Sequence, residues 1–140
     1  MKLVDTNVLV YAIDESAPHH QASRHWLNGA LSGAAPVGFT WNSLIAFVRL
    51  STHPTIATRP LGVGDAMDVV DTWLGARSAR VLQPGPRHAS ILRQMLSSGV
   101  GGNLTNDAHL AAIAVEHKAT VVTFDSDFGR FDGVRWERPR

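Results

Sequence analysis

The chain has 140 residues, of which 44% are hydrophobic and 18% charged, a composition typical of one globular domain spanning residues 1–140. It contains no cysteine, which excludes a disulfide framework, a thiolate zinc site and an iron–sulfur cluster. The formal net charge of +1 predicts no global basic field for nucleic acid or an anionic membrane. Asp5 and Asn7 interrupt the apolar start of the chain, so we expect neither a signal peptide nor a membrane helix. We therefore expect a cytoplasmic location.

The predicted elements alternate between strands and helices along the chain. The first apolar run, Leu3 to Val10, predicts a buried strand, and later short apolar runs predict strands at 37–39, 81–82, 119–123 and 134–136. Apolar spacing and capping residues predict helices over 19–31, 41–51, 64–75, 86–97 and 104–117. Such alternation predicts a three-layer α/β/α fold with a mainly parallel central sheet of four or five short strands.

Two connecting segments are predicted to be irregular. Residues 53–64 hold two prolines and several turn-forming residues, so they are expected to form a loop. Residues 99–103 are expected to end the preceding helix and to form a glycine-rich bend. Thr40, in contrast, is predicted to be the N-cap of the helix that follows it.

Three acids are predicted to meet at one edge of this sheet. Asp5 lies at the end of the first apolar run, Asp125 follows the strand that ends at Thr123, and Asp107 lies in the first turn of the preceding helix. Ligands in parallel α/β sheets bind outside the carboxyl ends of the strands. An ionised carboxylate in a buried position also needs water, a cation or several donors. We therefore expect Asp5 to meet a partner at this edge.

A cluster of carboxylates predicts a bound cation. Carboxylates that meet without enough positive charge raise one another's pKa, so a group of three or four implies a shared proton or a metal. Ligands that are all oxygen favour Mg²⁺ or Mn²⁺, and the absence of cysteine and of a His-Glu-x-x-His pattern disfavours zinc. Such an ion keeps open positions for water and phosphate oxygens, as phosphodiester cleavage requires.

Several polar residues near these acids have both a functional and a structural interpretation. Asp125 and Asp127 are candidate site acid and accessory acid, but Asp-Ser-Asp after a strand is also ordinary turn chemistry. Asp107 could instead have only a structural role, because an acid in the first turn of a helix interacts favourably with the helix dipole. Thr6 and Asn7 either orient the first acid and its waters or shape the turn.

The remaining polar and aromatic residues predict no second site. The acids of the 64–75 helix have the spacing of a solvated face (Asp65, Asp68, Asp71). The seven histidines lack metal-ligand spacing. The four tryptophans fall on apolar faces and are expected in the core or in dimer contacts (Trp26, Trp41, Trp73, Trp136).

Three stretches, in this order, resemble the motifs of PIN-domain ribonucleases: residues 3–9, 101–112 and 122–128. The resemblance spans essentially the whole chain and is to the VapC toxins of VapBC toxin–antitoxin pairs, in the subgroup abundant in mycobacteria. It implies an endoribonuclease, dependent on Mg²⁺ or Mn²⁺, that cuts structured RNA such as tRNA or rRNA. Asp5, Asp107 and Asp125 are then the catalytic and metal-binding acids. The resemblance also implies a homodimer and a VapB-type antitoxin, which together form a heterotetramer or larger complex.

One position departs from the family pattern. PIN nucleases usually place a glutamate in the second helix, where this chain has Ala46. A site with three acids is expected to bind its metal more weakly, unless Asn42, one helical turn earlier, turns its amide toward the ion. Arg49 resembles an arginine that the family keeps, and it is expected either to contact RNA phosphate or to pair with a carboxylate.

Two other functions stay open. An Asp at the end of a first strand is also what aspartyl-phosphate phosphotransfer enzymes use, although Asn7 stands where a second phosphatase acid is expected and no lysine follows a later strand. Because the helix glutamate is missing, the chain could also be a PIN fold that binds RNA or antitoxin without cutting.

Overall fold

A parallel sheet with helices on both faces organises the chain. The computed structural model describes residues 1–97 and 102–140, and these ranges contain five strands and six α-helices. The strands are β1 (Lys2–Val4), β2 (Val37–Phe39), β3 (Ala79–Val81), β4 (Thr120–Val122) and β5 (Trp136–Glu137). The helices are α1 (Thr6–Ile13), α2 (His20–Ser32), α3 (Trp41–Thr52), α4 (Val63–Leu74), α5 (His88–Leu96) and α6 (Thr105–Glu116). Two short 3₁₀ helices span Gly102–Leu104 and Ser126–Arg130.

The strand order β3-β2-β1-β4-β5 places β1 at the centre of the sheet, with every described pairing parallel. Side chains alternate between the two faces of a strand. Leu3 and Val121 accordingly pack in one core cluster with α5 and α6, whereas Val4 and Val122 pack in a second cluster with α1 to α4. These two cores on opposite faces of one sheet confirm the predicted three-layer α/β/α fold.

The first predicted strand is wrong beyond Val4. The chain turns at Asp5, which is the N-cap of α1 and accepts a hydrogen bond from the backbone N–H of Thr6. The apolar residues that follow have helical spacing, and three of them are buried on one face of α1 (Val8, Leu9, Ala12). The apolar run was therefore a three-residue strand joined directly to a buried helix, and the acid marks the junction.

Other boundaries follow their capping residues. Thr40 caps α3 as predicted, because its hydroxyl accepts the N–H of Ser43 at 3.3 Å. The helix predicted from Pro86 begins instead at His88, with Arg87 as its N-cap. Of the predicted glycine-rich bend at 99–103, residues 99–101 lie outside the described residues.

The predicted solvated face of α4 is confirmed, because all three of its acids are exposed (Asp65, Asp68, Asp71). Trp73 is buried beneath this helix against Phe47, but Trp41, at the start of α3, is 44% exposed and is not part of the core. None of the helices that the structure describes is long and apolar enough to cross a membrane.

Candidate active site

Asp5 is a buried carboxylate held by several donors. The side chain of Asp5 is 8% exposed, and its Oδ1 accepts the backbone N–H of Thr6 at 2.7 Å. Its Oδ2 accepts the hydroxyl of Thr123 at 2.8 Å and the amide of Asn7 at 3.1 Å. Burial raises the pKa of Asp5, the hydrogen bonds from Thr123 and Thr6 partly oppose this, and the charge of Asp125 adds to it. The carboxylate is thus fixed in orientation and carries an unfavourable charge.

Thr123 connects the acids of the first and fourth strands. It lies just after β4, is fully buried, and accepts hydrogen bonds from the Asn7 amide at 3.0 Å and from the Asp125 N–H at 2.9 Å. Asn7 in turn accepts the N–H of Phe124 at 3.2 Å. Asn7 therefore orients Asp5 and also holds the loop after β4. The sequence indicated Thr123 only as a strand residue, and its sole signal is a polar side chain at the end of a buried strand.

Asp107 lies in the first turn of α6 and is half-buried. Its pKa is raised to about 6, first by burial and then by the charges of Asp5, Asp125 and Asp127. No hydrogen bond or ion pair reaches its carboxylate from the side chains that the structure describes, which lie within residues 1–97, 102 and 104–140. Asp107 is therefore an acid whose charge nothing in the described protein compensates.

Asp125 and Asp127 lie on the 3₁₀ helix after β4. Asp125 is the N-cap of this helix and accepts the N–H of Asp127 at 2.8 Å, which is the turn geometry that the sequence left open. The Asp127 carboxylate pairs with Arg130 at 3.3 Å on the surface. The structure thus brings all four acids within electrostatic reach, but it turns Asp127 toward a cation of its own.

A groove of about 300 Å³ joins Asp5 and Asp107 to one face of α3. Among the residues that line it are Asp5, Thr6, Asn42, Ala46, Arg49 and Asp107. The three α3 positions are spaced by four and three residues, so they form one stripe along the helix. Ala46, where the family pattern has a glutamate, therefore faces the two carboxylates, and Asn42 and Arg49 lie on either side of it along the stripe.

Arg49 is the cation of this groove. Within the described residues the ion pairs are Lys2–Glu137 and Arg130–Asp127, so Arg49 has no carboxylate within 4.0 Å. Of the two expectations for Arg49, pairing with a carboxylate is not observed. Its guanidinium remains available to a phosphate group.

The donor set of the groove fits a hard divalent cation. Mg²⁺ is commonly held by one or two carboxylates and keeps several waters. Asp5 Oδ1 accepts one hydrogen bond and Asp107 accepts none from the described side chains, so both retain lone pairs. Their pKa values are raised first by burial and then by neighbouring carboxylates, and a cation would stabilise both charges. Among the described residues no three His, Cys, Asp or Glu side chains converge closely enough to form a metal-binding group by themselves. The set therefore fits an ion with two protein carboxylates and waters, and a direct role for Asp125 stays a prediction.

A larger cavity of about 600 Å³ lies away from the acids, between the end of α1, the end of α3 and the 56–61 loop. Its lining is mainly apolar and includes Val10, Ile13, Leu50 and Leu61. It contains neither Asp5 nor Asp107, so its size does not make it the better candidate for chemistry.

Two histidines form a contact that sequence reasoning missed. His88 Nε2 and His109 Nδ1 are 2.9 Å apart, with the rings edge to face. Burial and the neighbouring His88 lower the pKa of His109, which also lines the groove of Asp5 and Asp107. The two residues lie on different helices, so spacing along the chain carried no signal for this pair.

Comparison with known proteins agrees with this architecture. The model of the PIN domain family matches residues 2–134. Ribonuclease VapC37 of Mycobacterium tuberculosis is 56% identical over 140 residues, which cover 99% of this chain and 97% of that protein.

Solved structures share the fold at low sequence identity. A complex of VapBC2 from Rickettsia felis with a promoter DNA fragment contains a chain that matches with a TM-score of 0.70 and 18% identity, covering 98% of this chain and 97% of that one. VapC20 of Mycobacterium tuberculosis, described as a toxin that cleaves the sarcin–ricin loop, matches with a TM-score of 0.66 and 18% identity, covering 96% and 99%. From the family model and the 56% identical relative, the chain belongs to the PIN-domain family, in its VapC group of ribonucleases.

Proposed function

We propose that this chain is the toxin of a VapBC pair, an endoribonuclease that uses Mg²⁺ or Mn²⁺ to cut structured RNA such as tRNA or rRNA. One observation carries the proposal: Asp5 and Asp107 line one groove, with raised pKa values and no cation paired to either among the described residues. A pair of uncompensated carboxylates beside a free arginine suits a divalent ion and a phosphate group together.

Each groove residue has a defined part in this proposal. Asp5 and Asp107 would hold the ion, and Thr123 and Asn7 keep the Asp5 carboxylate oriented through their hydrogen bonds. The metal, when bound, supplies a nucleophilic water at neutral pH and stabilises the charge that develops on the phosphate. Arg49, with no carboxylate partner in the described chain, binds a phosphate oxygen of the RNA.

The charges around the groove affect how tightly it would bind a metal ion. Asp125 adds negative potential at Asp5 and Asp107, as its effect on both pKa values indicates. Ala46 contributes no ligand, and the Asn42 side chain in the same groove offers an amide oxygen in place of the family's carboxylate. We therefore expect a site with weaker metal binding than a four-acid site has.

The proposed partners are a VapB-type antitoxin and a second copy of this chain. The similarity to a VapC group and to a chain of the Rickettsia VapBC2 complex supports an antitoxin partner. Exposed apolar side chains on α3 and α4 support a protein contact there (Trp41, Ile45, Val63, Met67). A homodimer with two bound antitoxins would give the expected heterotetramer or a larger complex.

RNA cleavage by the purified, antitoxin-free protein tests the proposal. We expect discrete fragments from total RNA in Mg²⁺ or Mn²⁺ and none in EDTA. Asp107→Asn is expected to abolish cleavage, because it removes a metal ligand without disturbing a hydrogen bond within the described chain. Asp68→Asn, which changes an exposed acid of α4, is the matched control and should cut as the wild type does. No cleavage by the wild type in either metal would refute the nuclease assignment.

The missing acid supports a second candidate, a PIN fold that binds RNA or antitoxin without cutting. This function predicts RNA binding with no fragments in either metal, so the same experiment separates the two. Aspartyl-phosphate transfer is less well supported, because both oxygens of Asp5 accept hydrogen bonds and Lys2 pairs with Glu137 at 2.6 Å. The described residues offer that chemistry no lysine at the groove.

A further inference from the structure

The histidine pair reaches the groove on one side and the protein interior on the other. His109 lines the groove beside Asp107, and its Nδ1 faces His88 Nε2 at 2.9 Å. Within the described residues, the buried side-chain atoms that lack any partner are Ser23 Oγ and His88 Nδ1. His109 Nε2 has no hydrogen-bond partner among the described residues, and His109 is one of the residues that line the groove.

The hydrogen bond between the two rings leaves two tautomeric arrangements. Only one of the two facing nitrogens can carry a hydrogen, since two N–H groups cannot point at each other across 2.9 Å. If His109 Nδ1 were the donor, a neutral His88 would carry its own hydrogen on Nδ1, which would be a buried N–H without an acceptor. Buried N–H groups without a partner are rare and cost more than a buried lone pair.

His88 therefore carries its hydrogen on Nε2 and donates it to His109 Nδ1. A neutral His109 then has its own hydrogen on Nε2, the nitrogen for which no described residue supplies a hydrogen-bond acceptor. The groove is thus given a fixed donor on the side of Asp107, in addition to the guanidinium of Arg49 on α3.

We propose that His109 donates a hydrogen bond from Nε2–H to a phosphate oxygen of the RNA strand in the groove, and that His88 is the positioning residue that fixes this tautomer. The proposal rests on the RNA-binding groove of the proposed function and adds a substrate contact to it. A neutral donor suits this place, because it can bind a phosphate oxygen without competing with a metal ion for the neighbouring carboxylates.

Two substitutions of His109 distinguish the role of its Nε2–H donor from that of the imidazole ring as a whole. The amide nitrogen of Gln occupies roughly the place of Nε2, whereas that of Asn occupies the place of Nδ1, so His109→Gln keeps a donor at the groove and His109→Asn does not. We expect His109→Asn to weaken binding of a fluorescein-labelled stem-loop RNA in EDTA by about tenfold, as for the loss of one hydrogen bond to a charged group. His109→Gln should recover most of this affinity, and His25→Asn, at an exposed position of α2, should leave it unchanged.

The tautomers are measured directly in the wild type. Long-range ¹H–¹⁵N correlation spectra should give His109 and His88 both as the Nε2–H form, and His88→Leu should let His109 populate its Nδ1–H form. A merely structural role for His109 would make Gln and Asn equally damaging, with equal loss of melting temperature. The proposal is overturned if His109→Asn binds RNA as the wild type does, if His109→Gln fails to rescue, or if His109 is the Nδ1–H tautomer.

The binding measurement needs no catalysis, so it remains decisive whatever the cleavage result. Absence of cleavage by the wild type would refute the nuclease function and leave the His109 contact to be judged by RNA binding. Normal cleavage together with unchanged RNA affinity of His109→Asn would refute the His109 contact and leave the nuclease function standing.

Discussion

Replacing Asp107 by Asn should stabilise the protein while it abolishes cleavage. The pKa of Asp107 is raised to about 6 by burial and by the charges of Asp5, Asp125 and Asp127, so the folded state opposes its ionisation. An amide of nearly the same shape removes that charge. The described side chains make no hydrogen bond to this carboxylate, so the substitution leaves none of their donors unpaired.

The size of the effect follows from the pKa shift. A rise from 3.8 to about 6 corresponds to about 3 kcal/mol at 1.36 kcal/mol per unit, and solvent screening of this partly exposed group reduces it to about 1.5 kcal/mol. Loss of the favourable position of an acid in the first turn of α6 offsets about 0.5 kcal/mol. We expect a net gain of about 1 kcal/mol at pH 7, or about 4 °C in Tm.

The pH dependence of folding stability tests the sign of this stability change. Because the folded pKa of Asp107 lies above its unfolded value, the wild type loses stability as the pH rises from about 4 to about 6. Thermal unfolding followed by circular dichroism should show Asp107→Asn more stable at pH 7 and equal to the wild type below pH 4. Mg²⁺ should raise the Tm of the wild type more than that of the variant. Lower stability of Asp107→Asn at pH 7, or a difference that persists below pH 4, would refute the electrostatic argument.

Three further changes test other parts of the site and its support. Ala46→Glu should tighten Mn²⁺ binding by about tenfold in calorimetry because it adds a carboxylate to the groove, and Ala46→Gln, which adds the same bulk without charge, should not. Thr123→Val should lower the free energy of urea unfolding by about 2 kcal/mol, since it removes a buried hydroxyl donor and acceptor, and a loss below about 0.5 kcal/mol would contradict the network. Gly85→Ala should destabilise the fold because the added methyl group would overlap the Glu116 carboxylate. Gly64→Ala, in open space on α4, should stabilise the fold by about 0.5 kcal/mol. Equal Tm values for the two variants would show that the Glu116 carboxylate moves away freely.

The sequence predicted the layered architecture and the grouping of the acids because both depend on short-range signals. Thr40 marked the start of α3 as a cap, and the rule for the carboxyl edge of a parallel sheet brought Asp5 and Asp107 together. The prediction of one strand from Leu3 to Val10 was wrong for a physical reason. Val and Leu serve equally well in a buried strand and in a buried helix, and only the capping role of Asp5 separates the two.

The contacts that the sequence could not predict join residues far apart along the chain. The hydroxyl of Thr123 meets Asp5 across 118 positions, and the rings of His88 and His109 meet across 21. No periodicity or spacing in the sequence indicates either contact. The Thr123 contact depends on how β4 pairs with β1, and the histidine contact depends on how α5 packs against α6. Such contacts follow from the completed tertiary structure and not from any local pattern.

The central position of β1 determines when the groove can exist during protein synthesis. β1 is the middle strand of the sheet, and its partner β4 is translated long after it. Asp5 meets neither Thr123 nor the groove partner Asp107 until those late residues have emerged. A nascent chain therefore carries Asp5 without its site, and the proposed cleavage of RNA requires that the chain has been translated past Thr123.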